Sequence, residues 1–291
     1  LSVSAAATPR ERRFDLPGLT LAASEWGDAA GLPLLAVHGW LDNAGSFDLL
    51  APLLEGCNVV ALDLAGHGQS DSRSADASYL LWDDVGDLLG VVDQLGWPTF
   101  SLLGHSRGAA VAMMLAATFP ERVEKLIMLE GGAPLVGPAE EAPAVLARAL
   151  IERRELLLKK GRIFADRDKA IDERAAGFSK VSRSAAETLA RRSLRAVPGG
   201  FQWHADQRLK AASELRLTVE HVWAFVARVR APALMILAEQ SPFRNWTIYE
   251  DMAARFPRLE RVRLAGGHHM HLEGAEQEIA RRIRAFLGVD V

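Results

Sequence analysis

The stretch LLGHSRGAAVA, residues 102–112, decides the architecture of this 291-residue chain. It opens as the end of an apolar run, residues 99–103, and turns within a few residues into a small, apolar helical segment, residues 107–119. The turn itself is Gly104-His105-Ser106-Arg107-Gly108, a G-x-S-x-G pattern. A strand that bends so sharply into a helix leaves no room for side chains two residues before and after the serine. Gly104 and Gly108 meet that demand. The Ser106 hydroxyl would then stand above the sheet edge at a helix N-terminus, whose dipole favours developing negative charge. Alone, five such residues could be an ordinary glycine-containing junction. With strand and helix on either side, they point to a serine nucleophile.

On both sides of this stretch, short Leu- and Val-rich runs alternate with helical ones. The runs at 33–37, 58–62, 125–129, 233–237 and 261–264 read as parallel strands covered on both faces. Residues 13–14 and 19–24 read as edge strands joined by a turn at Pro17-Gly18. Helices are expected over 46–54, 80–95, 247–256 and 275–287, the last stopped by Gly288. The expected class is α/β, a mostly parallel central sheet flanked by helices. Residues 134–230 break the alternation. Val145, Leu146, Ala149, Leu150, Leu156 and Leu157 follow helical spacing, as do Leu215, Val219, Val222, Trp223 and Val226, with no strong strand signal between them. This segment reads as a helical cap inserted into a core of residues 1–133 and 231–291.

Composition narrows the partners. At 49% hydrophobic and 24% charged, the chain can bury a sizeable core and is neither disordered nor fibrous. Its 34 basic and 37 acidic residues leave a net charge of −3, too balanced for nucleic acid or an anionic membrane as main partner. The single cysteine, Cys57, excludes an intrachain disulfide and favours a cytoplasmic setting. Residues 1–13, LSVSAAATPRERR, lack the apolar stretch of a secretory signal. No run approaches the ~20 apolar residues of a spanning helix. Asn245-Trp246-Thr247 matches a glycosylation acceptor, which carries no meaning without secretion. The oligomeric state is left open.

A serine needs a base, and histidine is the usual one. Gly267-His268-His269-Met270-His271-Leu272-Glu273 follows the last strand run. His268, directly after the glycine, is the choice; His269 and His271 read as loop or helix-start residues. Three histidines in four positions could suggest a metal, but no H-E-x-x-H pattern or cysteine pair accompanies them, and neither metal nor cofactor is expected. His38 reads as a structural histidine that fixes its loop by a hydrogen bond. Glu130 ends an apolar run, where an unpaired carboxylate would be costly to bury, and the His268 imidazole would explain its presence. Glu239, after the run at 233–237, satisfies the same chain order.

Four stretches together resemble the α/β-hydrolase fold: HGWLDNAGSFDLLAPLL (38–54), VVALDLAGHGQSD (59–71), LLGHSRGAAVA (102–112) and GGHHMHLE (266–273). The first two, with FQWHADQRL (201–209), look most like its serine hydrolase-like branch. The resemblance implies an oxyanion hole built from the backbone N–H groups of Trp40 and Arg107. It also supports His268, since the first histidine of G-H-x-x-H is the base in such proteins. Many relatives place the acid after the strand matching residues 233–237; here Ser241 falls at that position, leaving Glu239 close by. Another subset takes the acid from the end of the preceding strand, which here is Glu130, the preferred assignment. Ser106 excludes the carboxylate-nucleophile chemistry of dehalogenases and epoxide hydrolases. The expected activity is hydrolysis of a small-molecule carboxylic ester with a small or medium acyl group. Thioester, lactone or carbon–carbon hydrolysis by the same triad is the alternative, and a non-catalytic ligand-binding protein of this fold is the rival class.

Overall fold

A computed structural model describes residues 8–177, 180–243 and 246–289. Residues 1–7 of the N-terminal stretch and Asn245 of the acceptor triplet lie outside them. Among the described residues an eight-stranded sheet runs in the order β1-β2-β4-β3-β5-β6-β9-β10. Here β1 is Arg10–Leu16, β2 Leu19–Trp26, β3 Leu32–Val37, β4 Cys57–Leu62, β5 Phe100–His105, β6 Val123–Leu129, β9 Ala233–Ala238 and β10 Leu259–Leu264. The β1–β2 hairpin is antiparallel and meets β4 antiparallel; every later pairing is parallel. The central strands β4, β5 and β9 are buried along their whole length. Their two faces feed separate apolar cores, so the strands read as unbroken hydrophobic runs rather than alternating ones. The helices α1 (Leu81–Gln94), α2 (Arg107–Thr118), α7 (Thr247–Arg255) and α8 (Glu276–Leu287) flank the sheet, with Gly288 closing α8 at φ 79°.

Two expectations fail for reasons of local chemistry. The helix expected at 46–54 is two 3-10 turns, Ala44–Phe47 and Ala51–Leu53. Pro52 has no N–H to give Asp48, so an α-helix cannot run through. Inside the 134–230 segment, between α5 (Arg183–Ser193) and α6 (Val219–Arg228), lies a hairpin of β7 (Leu194–Val197) and β8 (Gly200–Trp203). Its turn uses Gly199 at φ 90°, in the sequence Pro198-Gly199-Gly200, a turn signal within the stretch expected to be helical. The same segment holds α3 (Ala142–Leu158) and α4 (Arg167–Ala175). Only Val145 and Ala149 of the apolar positions on α3 are buried; Leu146, Leu150 and Leu157 are exposed. In contrast α6 packs on α2, with Val222 and Val226 fully buried in the main core.

Candidate active site

Ser106 sits between β5 and α2 at φ 52°, ψ −116°. A non-glycine residue held there costs roughly 1–3 kcal/mol, so the surroundings must impose it. A Cβ at Gly104 would lie 2.4 Å from the Ala109 Cα, and one at Gly108 would lie 2.1 Å from the Val37 carbonyl oxygen. Neither backbone can yield, so both positions require glycine. The Ser106 N–H donates to the Leu129 carbonyl at 2.9 Å, tying the turn to the end of β6.

The next residue, Glu130, is also left-handed, at φ 51°. Its side chain is 2% exposed, and one carboxylate oxygen accepts the Ala238 N–H at 2.5 Å. The other faces His268 Nδ1 at 3.1 Å, and His268 Nε2 faces Ser106 Oγ at 3.0 Å. With the proton on Nδ1, the imidazole donates to Glu130 and presents a lone pair to the serine hydroxyl. Three residues predicted from sequence thus meet in one line. Glu239 does not join them: its N–H bonds the Leu264 carbonyl and its side chain is exposed. Ser241 is buried, its hydroxyl accepting the Phe243 N–H at 3.0 Å. The Phe243 ring stands edge-on against His268.

Behind the His268 ring lies a buried layer that sequence reading did not assemble. His105 Nε2 donates to the His268 carbonyl at 2.9 Å. His269 Nε2 donates to Asp42 Oδ2 at 3.1 Å, and Arg174 from α4 reaches Asp42 Oδ1 at 2.6 Å. His271 Nε2 meets Ser46 Oγ at 2.9 Å. Burial drives the pKa of His271 down to about 3, helped by the neighbouring His269. Burial and the same histidines hold His105 well below the usual range. Burial pushes the Asp42 carboxyl up, but His269, Arg174 and His105 together carry it well below the ordinary value. Asp42, His105 and His269 each bring one ligand-type atom within 4.8 Å of the others, a grouping that could hold a metal ion. Arg174 already supplies a cation to the same carboxylate. The signals for this layer were Asp42 in the first quoted stretch and the histidines at 105, 269 and 271; nothing in the sequence pointed to Arg174.

The opposite wall is the loop after β3. His38 Nδ1 donates to the Gly39 carbonyl at 2.7 Å and Nε2 accepts the Leu64 N–H at 3.0 Å, fixing the loop and its own tautomer. His67 accepts the N–H of Leu41, a third left-handed residue at φ 59°, at 3.3 Å. Burial lowers the pKa of both rings. The Trp40 indole donates to the Leu209 carbonyl at 2.7 Å, joining this loop to the inserted segment. Arg107 opens α2, so its N–H has no intrahelical acceptor, and its side chain pairs with the buried Asp84. A cavity of about 490 Å³ opens on Ser106, walled by Trp40, Leu135, Leu217, Phe243 and Trp246 among others. Tyr249 closes its side; burial and the Glu130 carboxylate push that phenol above its usual range. Among the described residues no helix is long and apolar enough to cross a membrane.

This strand-turn-helix elbow on a parallel sheet has direct relatives. The family model of the α/β-hydrolase fold matches residues 33–275, and the chain belongs to that family. Within it, serine hydrolase-like protein 2 of Homo sapiens is 32% identical over 295 residues, covering 95% of this chain and 93% of that protein. The chain therefore falls in the serine hydrolase-like branch. A solved structure of a hypothetical protein from Pseudomonas aeruginosa PAO1 is 46% identical with a TM-score of 0.92, covering 96% and 99% of the two chains. A thioesterase domain from a curacin biosynthetic pathway shares the fold at a TM-score of 0.85 and 23% identity, covering 96% of this chain and all of its own.

Proposed function

We propose that this chain is a serine hydrolase that cleaves a carboxylic ester of a small or medium acyl group through an acyl-enzyme. The observation that carries the reading is the line Ser106 Oγ, His268 and Glu130, with separations of 3.0 and 3.1 Å. Ser106 Oγ attacks the ester carbonyl while His268 Nε2 takes its proton. The imidazolium is held by Glu130, which keeps the ring in the tautomer that leaves Nε2 free. The backbone N–H groups of Trp40 and Arg107 receive the oxyanion, each donor worth roughly 2.7–4 kcal/mol of barrier. His268 then protonates the departing alcohol, and a water deprotonated by the same ring releases the acid. No cofactor enters these steps, and we take the setting to be cytosolic. The inserted segment acts as the cap of the cavity, since ligands of open α/β sheets bind at the strand C-terminal edge.

The same residues could open a thioester, lactone or activated carbon–carbon bond. The ester is preferred because it needs no group beyond those named. A purely ligand-binding role is disfavoured by the retention of nucleophile, base and both elbow glycines. The test is labelling by a fluorophosphonate together with hydrolysis of p-nitrophenyl butyrate. Ser106→Ala should lose the label and roughly 10⁴- to 10⁶-fold in kcat. An unlabelled but folded wild-type protein, or an active Ser106→Ala, would overturn the reading.

A further inference from the structure

Five charged side chains line the cavity beside Ser106: Arg107, Arg153, Arg208, Glu214 and Arg216. Four are neutralised within the protein. Arg107 pairs with Asp84, Arg153 with Glu214 at 2.9 Å, and Arg208 with Asp206 at 2.7 Å. Arg216 alone has neither an ion-pair partner nor a hydrogen-bond acceptor among the described residues. The residue is half-buried, with its aliphatic stem against Gly137 and its charge unpaired by the described residues.

Its position is also fixed. Residues Val136 and Leu217 form a parallel bridge, and the Gly137 N–H donates to the Leu217 carbonyl at 3.0 Å. A Cβ at Gly137 would stand 3.2 Å from Arg216 Cδ, so glycine there lets the arginine stem lie flat. Gly137 has no left-handed backbone to require it; the space is what it supplies. The same strap starts at Gly131, whose own Cβ position lies 2.4 Å from the Ser106 carbonyl oxygen. It then runs through Ala133, Pro134 and Leu135 of the cavity wall. An apolar strap of seven residues, Gly131 to Gly137, at most roughly 25 Å of extended chain, thus leads from the serine to a cation with no partner among the described residues.

We propose that Arg216 receives an anionic terminus, carboxylate or phosphate monoester, on a substrate whose ester carbonyl lies at Ser106. This rests on the esterase reading above and narrows its substrate class to anion-tailed esters. A planar guanidinium binds either oxyanion through paired hydrogen bonds, while the intervening wall takes the aliphatic chain.

The probes are p-nitrophenyl half-esters of glutaric, adipic and pimelic acids against their methyl-capped counterparts, with adipate and butyl phosphate as non-reacting ligands. If the natural terminus is a carboxylate, kcat/KM should favour the charged ester at one length by about 10- to 100-fold, the range of a charge-assisted hydrogen bond. Arg216→Gln should collapse that ratio toward one and Arg216→Lys should keep part of it. If the terminus is a phosphate, the esters should be near equal and butyl phosphate should outbind adipate. Both ligands are titrated into Ser106→Ala protein by calorimetry, which reads Arg216 without any turnover. Binding of neither anion, or anion binding undiminished by adding Arg216→Gln, overturns the proposal. Turnover of neutral p-nitrophenyl butyrate by the wild type reports on the esterase reading alone, so the two failures are distinct.

Discussion

The sheet end around Ser106 and the inserted segment above it are held by different forces. At the sheet end, backbone and buried side chains over-determine each position: Ser106, Glu130 and Leu41 are all left-handed, and each is bonded to a neighbouring strand or loop. In the segment, α3 turns most of its large apolar side chains to the surface, and charge pairs such as Arg153–Glu214 and Arg174–Asp42 add to the apolar contacts of α4, α5 and α6. The difference teaches that geometry demanding precision rests on the sheet, while residues 134–230 rest in part on more easily exchanged surface contacts.

The largest test of that contrast compares the two carboxylates. Glu130→Gln should lower kcat by roughly 10³- to 10⁴-fold, as loss of the orienting acid does in serine triads. Glu239→Gln, on an exposed loop, should change it less than about threefold; the reverse order in p-nitrophenyl butyrate turnover would exchange their roles. Stability comes next. Leu102→Ala, in a fully buried position on β5, should cost about 2–5 kcal/mol in urea unfolding.

The histidine layer predicts a pH effect of intermediate size. The folded pKa of His271 is lowered to about 3 from an ordinary 6.5, and those of His38, His67 and His105 are lowered too. Between those values the unfolded chain binds more protons than the folded one, so stability falls as pH drops from about 6.5 and is unaffected above it. Each such ring contributes about 1.4 kcal/mol per pH unit across its window. Urea midpoints measured from pH 7 down to pH 5 should decline, with a shallower slope in His271→Gln. A flat profile would mean these rings are not held neutral. At the small end, Leu158→Ser on α3, at a side chain 86% exposed, should move stability by no more than about 0.5 kcal/mol.

Legibility in the sequence followed the same divide. The runs that became β3, β4, β5, β6 and β9 were readable because strands covered on both faces are largely apolar, whereas β10, expected to be covered too, is an edge strand whose Glu260, Arg261 and Arg263 are exposed. The elbow was readable because only glycine fits beside Ala109 and under Val37. The choice of Glu130 over Glu239 rested on the cost of burying a lone carboxylate, and Glu130 faces the imidazole at 3.1 Å. Harder to read was whatever depended on contacts distant in sequence. Arg174 reaches Asp42 across 132 residues, and no local pattern marks it. The periodicity of α3 announced a helix but not which side would be covered, and the β7–β8 hairpin has strands of only four residues, too short for a clear alternation, with Pro198-Gly199 as its one turn signal.

The carboxylate opposite His268 rises from the end of β6, while β9 contributes to it only a backbone amide at Ala238. Main-chain groups survive almost any exchange of side chain, so the turn beyond Ala238 is released from supplying a titrating group of its own. Phe243 and Trp246 occupy that turn as cavity walls. Evolution, or an engineer, can therefore rewrite this stretch to reshape the cavity while Ser106, His268 and Glu130 keep their places.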